Sequence, residues 1–276
     1  IEVPPEWLIK KYPQAYWIKA NGQPVIPSSV GMAQVGTYPG LTPDFYEVRK
    51  AAEEFLCKTT EHYKNYPALF GYDIWNEIMP FYGFKSIYLY HPQTQKKFRE
   101  WLKKRYKTIE KFDSLYLRNY KSFSDVSMPE KGVYLEMLDL HEFATNWIAD
   151  YMNWKIKIVR SYDTKHPIVS HAAGALEALL TQPFDVWELT KSLDIWGTSC
   201  YETDFWKTAF QCVVTRDSSQ GKPWGIVEMS GGHTWGLYGD KVRSPHFLEQ
   251  LPLLALSYGG KFNMFWQWRP ERFGQE

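Results

Sequence analysis

The chain has 276 residues, with 32 basic and 31 acidic side chains and a formal net charge of +1 at pH 7. This balance argues against a general nucleic-acid binder, which needs a net basic face. No apolar run approaches the ~18 residues that a membrane span needs. Its cysteines, Cys57, Cys200 and Cys212, have no CxxC spacing and are interpreted as reduced thiols. We therefore expect a globular, cytoplasmic protein that binds neither nucleic acid nor membrane.

Short segments rich in apolar, β-branched and aromatic residues alternate along the chain with segments of helical periodicity. Strands are predicted within Leu69–Trp75, Pro167–Ser170, Leu193–Cys200, Pro223–Val227 and Lys261–Trp266. Helices are predicted at Asp44–Tyr63, Pro92–Tyr106, Leu135–Tyr162 and Pro245–Tyr258. This alternation is typical of βαβ units and a parallel sheet, and so predicts an α/β fold.

The absence of GxGxxG and GxxxxGK[ST] favours a (β/α)8 TIM barrel over a nucleotide-binding fold. A complete barrel has eight strands in ~250 residues. Here five strands are predicted, with the tail of another at Ile1–Val3 and loop-rich insertions at Pro5–Gly40 and Lys111–Gly132. Residues 1–276 are therefore expected to be one incomplete (β/α)8 domain, truncated at the amino end and just after the last strand.

Two glutamates, Glu77 and Glu228, each follow an apolar strand segment and precede a turn. A single glutamate is most often a solvated loop carboxylate. In a barrel, however, groups just past the carboxyl ends of strands face the mouth where active sites lie. A pair of carboxyl groups flanking one bond is what glycoside hydrolysis requires. The pattern therefore predicts a glycosidase.

The residues around these glutamates resemble the catalytic barrel of glycoside hydrolase family 42, the β-galactosidases of a large clan of retaining glycosidases. The resemblance is carried by Pro4–Leu8, Tyr66–Glu77, Phe98–Leu102, Leu193–Tyr201, Glu228–Ser230, and Phe265–Arg269 with Arg272, Gly274 and Glu276. The Asn76-Glu77 element is shared by the whole clan. Its combination with the segment from Phe265 singles out this family. The resemblance implies that the chain runs from about the end of the third strand to the eighth.

The resemblance also implies a role for each matching residue. Glu77 would be the acid/base and Glu228 the nucleophile. Asn76 would touch the sugar beside the nucleophile, and Tyr201 would hydrogen-bond the nucleophile carboxylate. Trp235 and Trp268 are expected to stack on a pyranose ring, and Glu276 matches a carboxylate that binds galactose hydroxyls.

The chain departs from the family pattern at two places. Members of the family often carry a four-cysteine zinc site, but the corresponding stretch here has no cysteine, so we expect no metal and no cofactor. A Cys-Pro-Asn pattern is also absent around Tyr38–Leu41, which weakens the case for strict galactose preference. The family further implies a homotrimer.

Together these observations predict a retaining glycoside hydrolase that cleaves terminal β-D-galactosides, or closely related β-glycosides, by double displacement. Two alternatives stay open. The chain could be an inactive barrel that binds carbohydrate without turnover, or a β-glycosidase acting on an arabinopyranoside, a fucoside or a glucoside.

Overall fold

The computed structural model describes residues 4–27, 40–78, 88–130, 134–174, 185–202, 204–231 and 245–266. The chain divides into two compact units, Ile1–Glu54 with Phe81–Asp150 and Phe55–Pro80 with Tyr151–Glu276. In chain order the described elements are α1 Glu6–Lys11, β1 Trp17–Ile18, β2 Pro24–Val25, α2 Tyr46–Tyr63, β3 Tyr72–Asp73, α3 Pro92–Tyr106, α4 Ile109–Tyr116, α5 Tyr134–Tyr162, β4 Ile168–Ala172, α6 Val186–Thr190, β5 Ile195–Cys200, α7 Phe205–Ser218, β6 Trp224–Ser230, α8 Pro245–Ser257 and β7 Asn263–Trp266.

In the first unit, the buried carboxylate of Asp44 joins three helices. It accepts hydrogen bonds from the Thr94 hydroxyl of α3 at 2.6 Å and from Trp147 Nε1 of α5 at 2.9 Å, and it pairs with Lys97. Asp44 itself lies just before α2. Because a buried charge needs several partners, these contacts hold the start of α2 against α3 and the middle of α5.

The stretches expected to be loop-rich insertions contain regular structure, so this expectation was wrong in part. The first holds α1 and the antiparallel pair β1–β2, and the second overlaps α4. The Thr108 side chain caps α4 by accepting from the Lys111 N–H at 3.3 Å, and Phe112 is the buried residue of that helix. Helices that bury only one or two apolar residues are too short to show helical periodicity.

The second unit is built on a parallel five-stranded sheet, in the order β3-β4-β5-β6-β7. Each predicted strand segment overlaps one of these strands, although β4 and β6 extend past the predicted ends to Ala172 and Ser230. Each strand pairs with the next along the chain. Every residue of β4 and β5 is buried, as expected when both faces of a parallel sheet are covered. The α/β fold with consecutive strand–helix units of an incomplete barrel is thereby confirmed.

Helices α6 and α7, which precede and follow β5, were not predicted from the sequence. The buried face of α7 is largely polar, because it includes Thr208, Gln211, Thr215 and Ser218. An apolar periodicity search does not detect such a face. Helices α2, α3, α5 and α8 lie where the sequence placed them, and no helix in the described segments combines the length and apolar character that crossing a bilayer requires.

Strand β6 contains a β-bulge, seen as a shift in register against both of its neighbours, β5 and β7. Against β5, Thr198 pairs with Ile226, but the next residue, Ser199, pairs with Glu228. Against β7, the register shifts between Ile226 and Met229. The extra residue in β6 therefore lies immediately before Glu228 or at it. Bulges of this kind change the direction of a side chain and occur next to active sites.

Candidate active site

The chain leaves the sheet directly after β3, and Glu77 lies in this segment. The Ile74 N–H donates to the Val169 carbonyl at 2.9 Å, and the Ile78 N–H donates to the His171 carbonyl at 3.0 Å. Between these contacts Glu77 has a φ of 42°, a left-handed conformation that few residues other than glycine adopt. Surroundings that hold such a conformation are found mainly at functional sites.

Glu228 is the half-buried residue of β6, whose other residues are all buried. The Tyr201 hydroxyl, just after β5, donates to Glu228 Oε2 at 2.8 Å. Ser199 is the Cα partner of Glu228 across the bulge, and its buried hydroxyl acts to lower the pKa of the Glu77 carboxyl. Ser199 of β5 therefore interacts with both glutamates, one following β3 and the other on β6.

A third group joins them, and the sequence analysis did not identify it. His171 is fully buried near the end of β4. Its Nε2 atom lies 3.3 Å from the Glu77 backbone nitrogen and 3.6 Å from Glu228 Oε1. Its Nδ1 atom lies 3.1 Å from Asp73 Oδ2. One imidazole thus contacts an acidic residue on each side and the backbone of Glu77.

These neighbours change the acidity of the groups in opposite directions. Burial raises the pKa of the Glu77 carboxyl above its ordinary value and the Glu228 charge adds to the rise, whereas Ser199 and His171 act to lower it. Burial alone would lower the pKa of His171, but the Asp73 and Glu228 carboxylates outweigh burial and raise it to about 10. The site therefore contains a carboxyl that keeps its proton longer than usual beside a cationic imidazole.

Buried groups fix the segment that leads from β3 to Glu77. The Ser170 hydroxyl donates to the Trp75 carbonyl at 2.7 Å, and Lys155 Nζ of α5 donates to the Ile74 carbonyl at 3.3 Å. The same ammonium lies 4.2 Å from the centre of the Trp75 ring, a cation–π contact. Trp75 is buried and is therefore a packing residue.

The other predicted site residues divide between exposed and undescribed positions. Asn76 is exposed between Trp75 and Glu77, where a ligand can reach it. The remaining three, Trp235, Trp268 and Glu276, lie outside the described residues. Within the described segments, no cluster of His, Cys, Asp and Glu side chains could hold a metal ion, and the expected absence of a metal stays a prediction.

The family model for glycoside hydrolase family 42, described as "Beta-galactosidase", matches residues 2–276. The chain belongs to this family. The family prediction from the sequence is thereby confirmed. A curated relative, the β-galactosidase LacZ of Heyndrickxia coagulans, is 23% identical over 285 residues, which cover 99% of this chain and 40% of the relative. The chain thus spans about two fifths of the length of the curated relatives that it matches.

Solved structures of family members have the same fold. A β-galactosidase from the psychrophilic Marinomonas ef1 matches with a TM-score of 0.83 at 19% identity, over 99% of this chain and 44% of that one. An exo-carrageenase of the family from Bacteroides ovatus matches with a TM-score of 0.73 at 17% identity, over 99% of this chain and 40% of that one. Family 42 barrels therefore occur in enzymes named for different substrates.

Proposed function

We propose that this family 42 chain carries the catalytic centre of a retaining β-glycosidase that acts on terminal β-D-galactosides or closely related β-glycosides. The observation that carries the proposal is the convergence of Glu77 and Glu228 on His171 and Ser199, at the carboxyl ends of strands β3 to β6. A pair of carboxyl groups beside one bond is the requirement of glycoside hydrolysis.

In the proposed first step, a Glu228 carboxylate oxygen bonds to the anomeric carbon while the bond to the leaving oxygen breaks. Glu77 gives its proton to that oxygen. Its raised pKa suits this role, because a general acid must still be protonated near the working pH. The Tyr201 hydroxyl orients the attacking carboxylate through its 2.8 Å hydrogen bond.

In the second step, Glu77 is ionised and removes a proton from water, which attacks the anomeric carbon and releases Glu228. Once Glu228 is esterified it carries no charge. The contribution by which it raises the pKa of Glu77 then disappears, so Glu77 becomes more readily ionised, as a base requires. Exposed Asn76, next to the acid/base, is proposed to bind the sugar bound to Glu228.

The test is mechanism-based labelling of the protein at its full natural length. A 2-deoxy-2-fluoro-β-galactoside with a good leaving group should inactivate it with one label per chain, and peptide mapping should place the label on Glu228. The matched control is Glu188→Gln, which removes an exposed glutamate of α6 and should leave labelling unchanged. A label on another carboxylate would overturn the assignment of the nucleophile.

The same experiment separates the alternatives. An inactive sugar-binding barrel would bind a β-galactoside without labelling or turnover. An enzyme with another preferred sugar would be labelled faster by the corresponding fluoro-arabinopyranoside, fucoside or glucoside. The cytoplasmic location, the homotrimer and the independence from cofactors stay predictions.

A further inference from the structure

His171 has no role in the mechanism proposed above, although it is fully buried between the two glutamates. It faces Asp73 from β3, Glu77 from the segment after β3, and Glu228 from β6, and the β5 residue of this site, Ser199, is uncharged. A histidine with these neighbours contributes more than packing, because its charge state affects both reacting carboxyl groups.

The Nε2 atom of His171 can interact favourably with either the Glu77 backbone N–H or the Glu228 carboxylate, but not with both at once. When the ring is protonated, Nε2 forms an ion pair with Glu228 Oε1 at 3.6 Å. When it is unprotonated, its lone pair accepts the Glu77 backbone N–H at 3.3 Å. The Nδ1 atom lies 3.1 Å from Asp73 Oδ2, close enough for an ion pair when the ring is charged. The two carboxylates favour the protonated state.

The chemistry of the two glutamates leaves one negative charge shared between Glu228 and Glu77 throughout the reaction, in addition to the Asp73 carboxylate. Before glycosyl transfer Glu228 is ionised and Glu77 is protonated. After transfer Glu228 is an ester and is uncharged, because its electron pair has formed the new C–O bond. Glu77 is then ionised, because its proton has left with the aglycone. His171 is close enough to both carboxyl groups to interact with the charge at either position.

We propose that His171 is a positioning residue that stays an imidazolium and serves as the shared countercharge for the negative charge that moves between Glu228 and Glu77. This inference rests on the proposed glycosidase function. It explains why an ionisable side chain is completely buried at this point of β4. It also predicts that the charge, rather than the ring volume, is what the reaction needs.

The first test uses His171→Gln and His171→Asn, which keep a polar side chain but carry no charge. Because cationic His171 lowers the pKa of Glu77, both variants should move the alkaline limb of the kcat/KM profile to higher pH. We expect kcat per labelled active site to fall by up to about 100-fold, the scale of a mispositioned catalytic group. Counting sites with the fluoroglycoside removes any unfolded fraction from this comparison.

The matched control is His166→Gln at the other end of the same strand, where His166 pairs with Asp163. It removes a histidine–aspartate contact away from the two glutamates and should leave the pH profile in place. A purely structural role for His171 would lower the number of active sites without moving the alkaline limb. An unmoved limb in both His171 variants, with Glu228 still labelled in the parent protein, overturns the countercharge and leaves the glycosidase proposal intact.

A direct test follows the imidazole by NMR in protein labelled with carbon-13 at histidine, with His171→Gln used for assignment. The His171 resonance should remain that of the protonated ring up to pH 8, since its pKa is raised to about 10. Glu228→Gln removes one of the two carboxylates and should lower the titration midpoint. A midpoint near 6.5 in the parent protein contradicts the proposal, whether or not the protein proves to be a glycosidase.

Discussion

The Glu228 carboxylate is the group whose removal should affect turnover most. Glu228→Ala is expected to lower kcat by about 10⁴-fold or more, the scale seen when a catalytic nucleophile is removed. The shortened side chain leaves room for a small anion on the same face of the sugar. Added azide should therefore restore part of the activity and yield a glycosyl azide of inverted configuration, detected by NMR of the product.

A control for this experiment is Tyr201→Phe, which removes only the hydroxyl that donates to Glu228 Oε2. It keeps the nucleophile, so its activity should fall without any response to azide. If Glu228→Ala kept normal turnover, the nucleophile would have to be another residue.

The loss of activity on removing Glu77 should depend on the pKa of the leaving group. Glu77→Ala is expected to slow glycosyl transfer by about 10²–10⁴-fold for aglycones of high pKa, because these need a proton from the general acid. Acidic phenols leave without that proton, so their first step should be nearly unaffected. Values of kcat/KM across a series of aryl glycosides report the first step and measure this dependence, and equal losses of kcat/KM for all aglycones would contradict the role of Glu77 as the acid.

The same variant should lose the alkaline limb of kcat/KM. In the parent protein that limb reports loss of the Glu77 proton, and it should lie above the range of an ordinary glutamate because burial raises the pKa of this carboxyl. Glu188→Gln again serves as the control, since it removes an exposed glutamate and should keep both limbs.

At the scale of elements, the end of β4 leaves no space beside β5. A Cβ atom added to Gly174 would lie 1.4 Å from the Ser199 carbonyl oxygen and 2.0 Å from Gln211 Nε2. Gln211 is buried and donates to that same carbonyl at 2.6 Å. Gly174 therefore permits the close approach that keeps Ser199 beside both glutamates.

Gly174→Ala should consequently lower the free energy of unfolding by about 3 kcal/mol or more, at the upper end of overpacking effects. It should also lower kcat per labelled site, because Ser199 must move. The comparison variant is Gly221→Ala, where φ is 83° but the Cβ meets nothing within 4 Å. That change should cost only about 1–2 kcal/mol of backbone strain and no activity. Urea unfolding measures the free energy of unfolding of both variants. Equal losses in Gly174→Ala and Gly221→Ala would show that the contact with Ser199 is unimportant.

Most of the second unit was predictable from the sequence because its strands are continuous apolar runs. Glu77 and Glu228 could be found because each interrupts such a run at its carboxyl end. His171 could not, since a histidine inside a strand gives no sign of the carboxylates that neighbouring strands bring to it. The bulge in β6 could not be predicted from the sequence either, because it is defined by how β6 pairs with its neighbouring strands. Helix α7 was missed because its buried face is largely polar and shows no apolar periodicity.

At the scale of the whole molecule, acid stability should depend on Asp163, which links the end of α5 to β3. Its buried carboxylate accepts from the Tyr72 hydroxyl at 2.9 Å, from the backbone N–H groups of Lys165 and His166 at 2.9 and 3.1 Å, and it lies 2.7 Å from His166 Nδ1. Burial acts to raise the pKa of Asp163, but these hydrogen bonds outweigh it and hold the pKa well below its ordinary value of 3.8.

A carboxyl whose pKa is lower in the folded than in the unfolded protein stabilises the fold above the unfolded value, and this contribution is lost as the pH falls through the folded value. Asp163→Asn should therefore reduce the free energy of unfolding by on the order of 2 kcal/mol at pH 7. The difference from the parent protein should shrink below pH 4, where unfolded Asp163 takes up its proton. Denaturant unfolding at a series of pH values checks this.

Asp204→Asn is the control. Asp204 caps α7 by accepting from the Lys207 N–H, and asparagine is an equally good helix cap, so this change should have little effect. A loss for Asp163→Asn that stayed constant down to pH 3 would show that the side chain stabilises by shape rather than by charge.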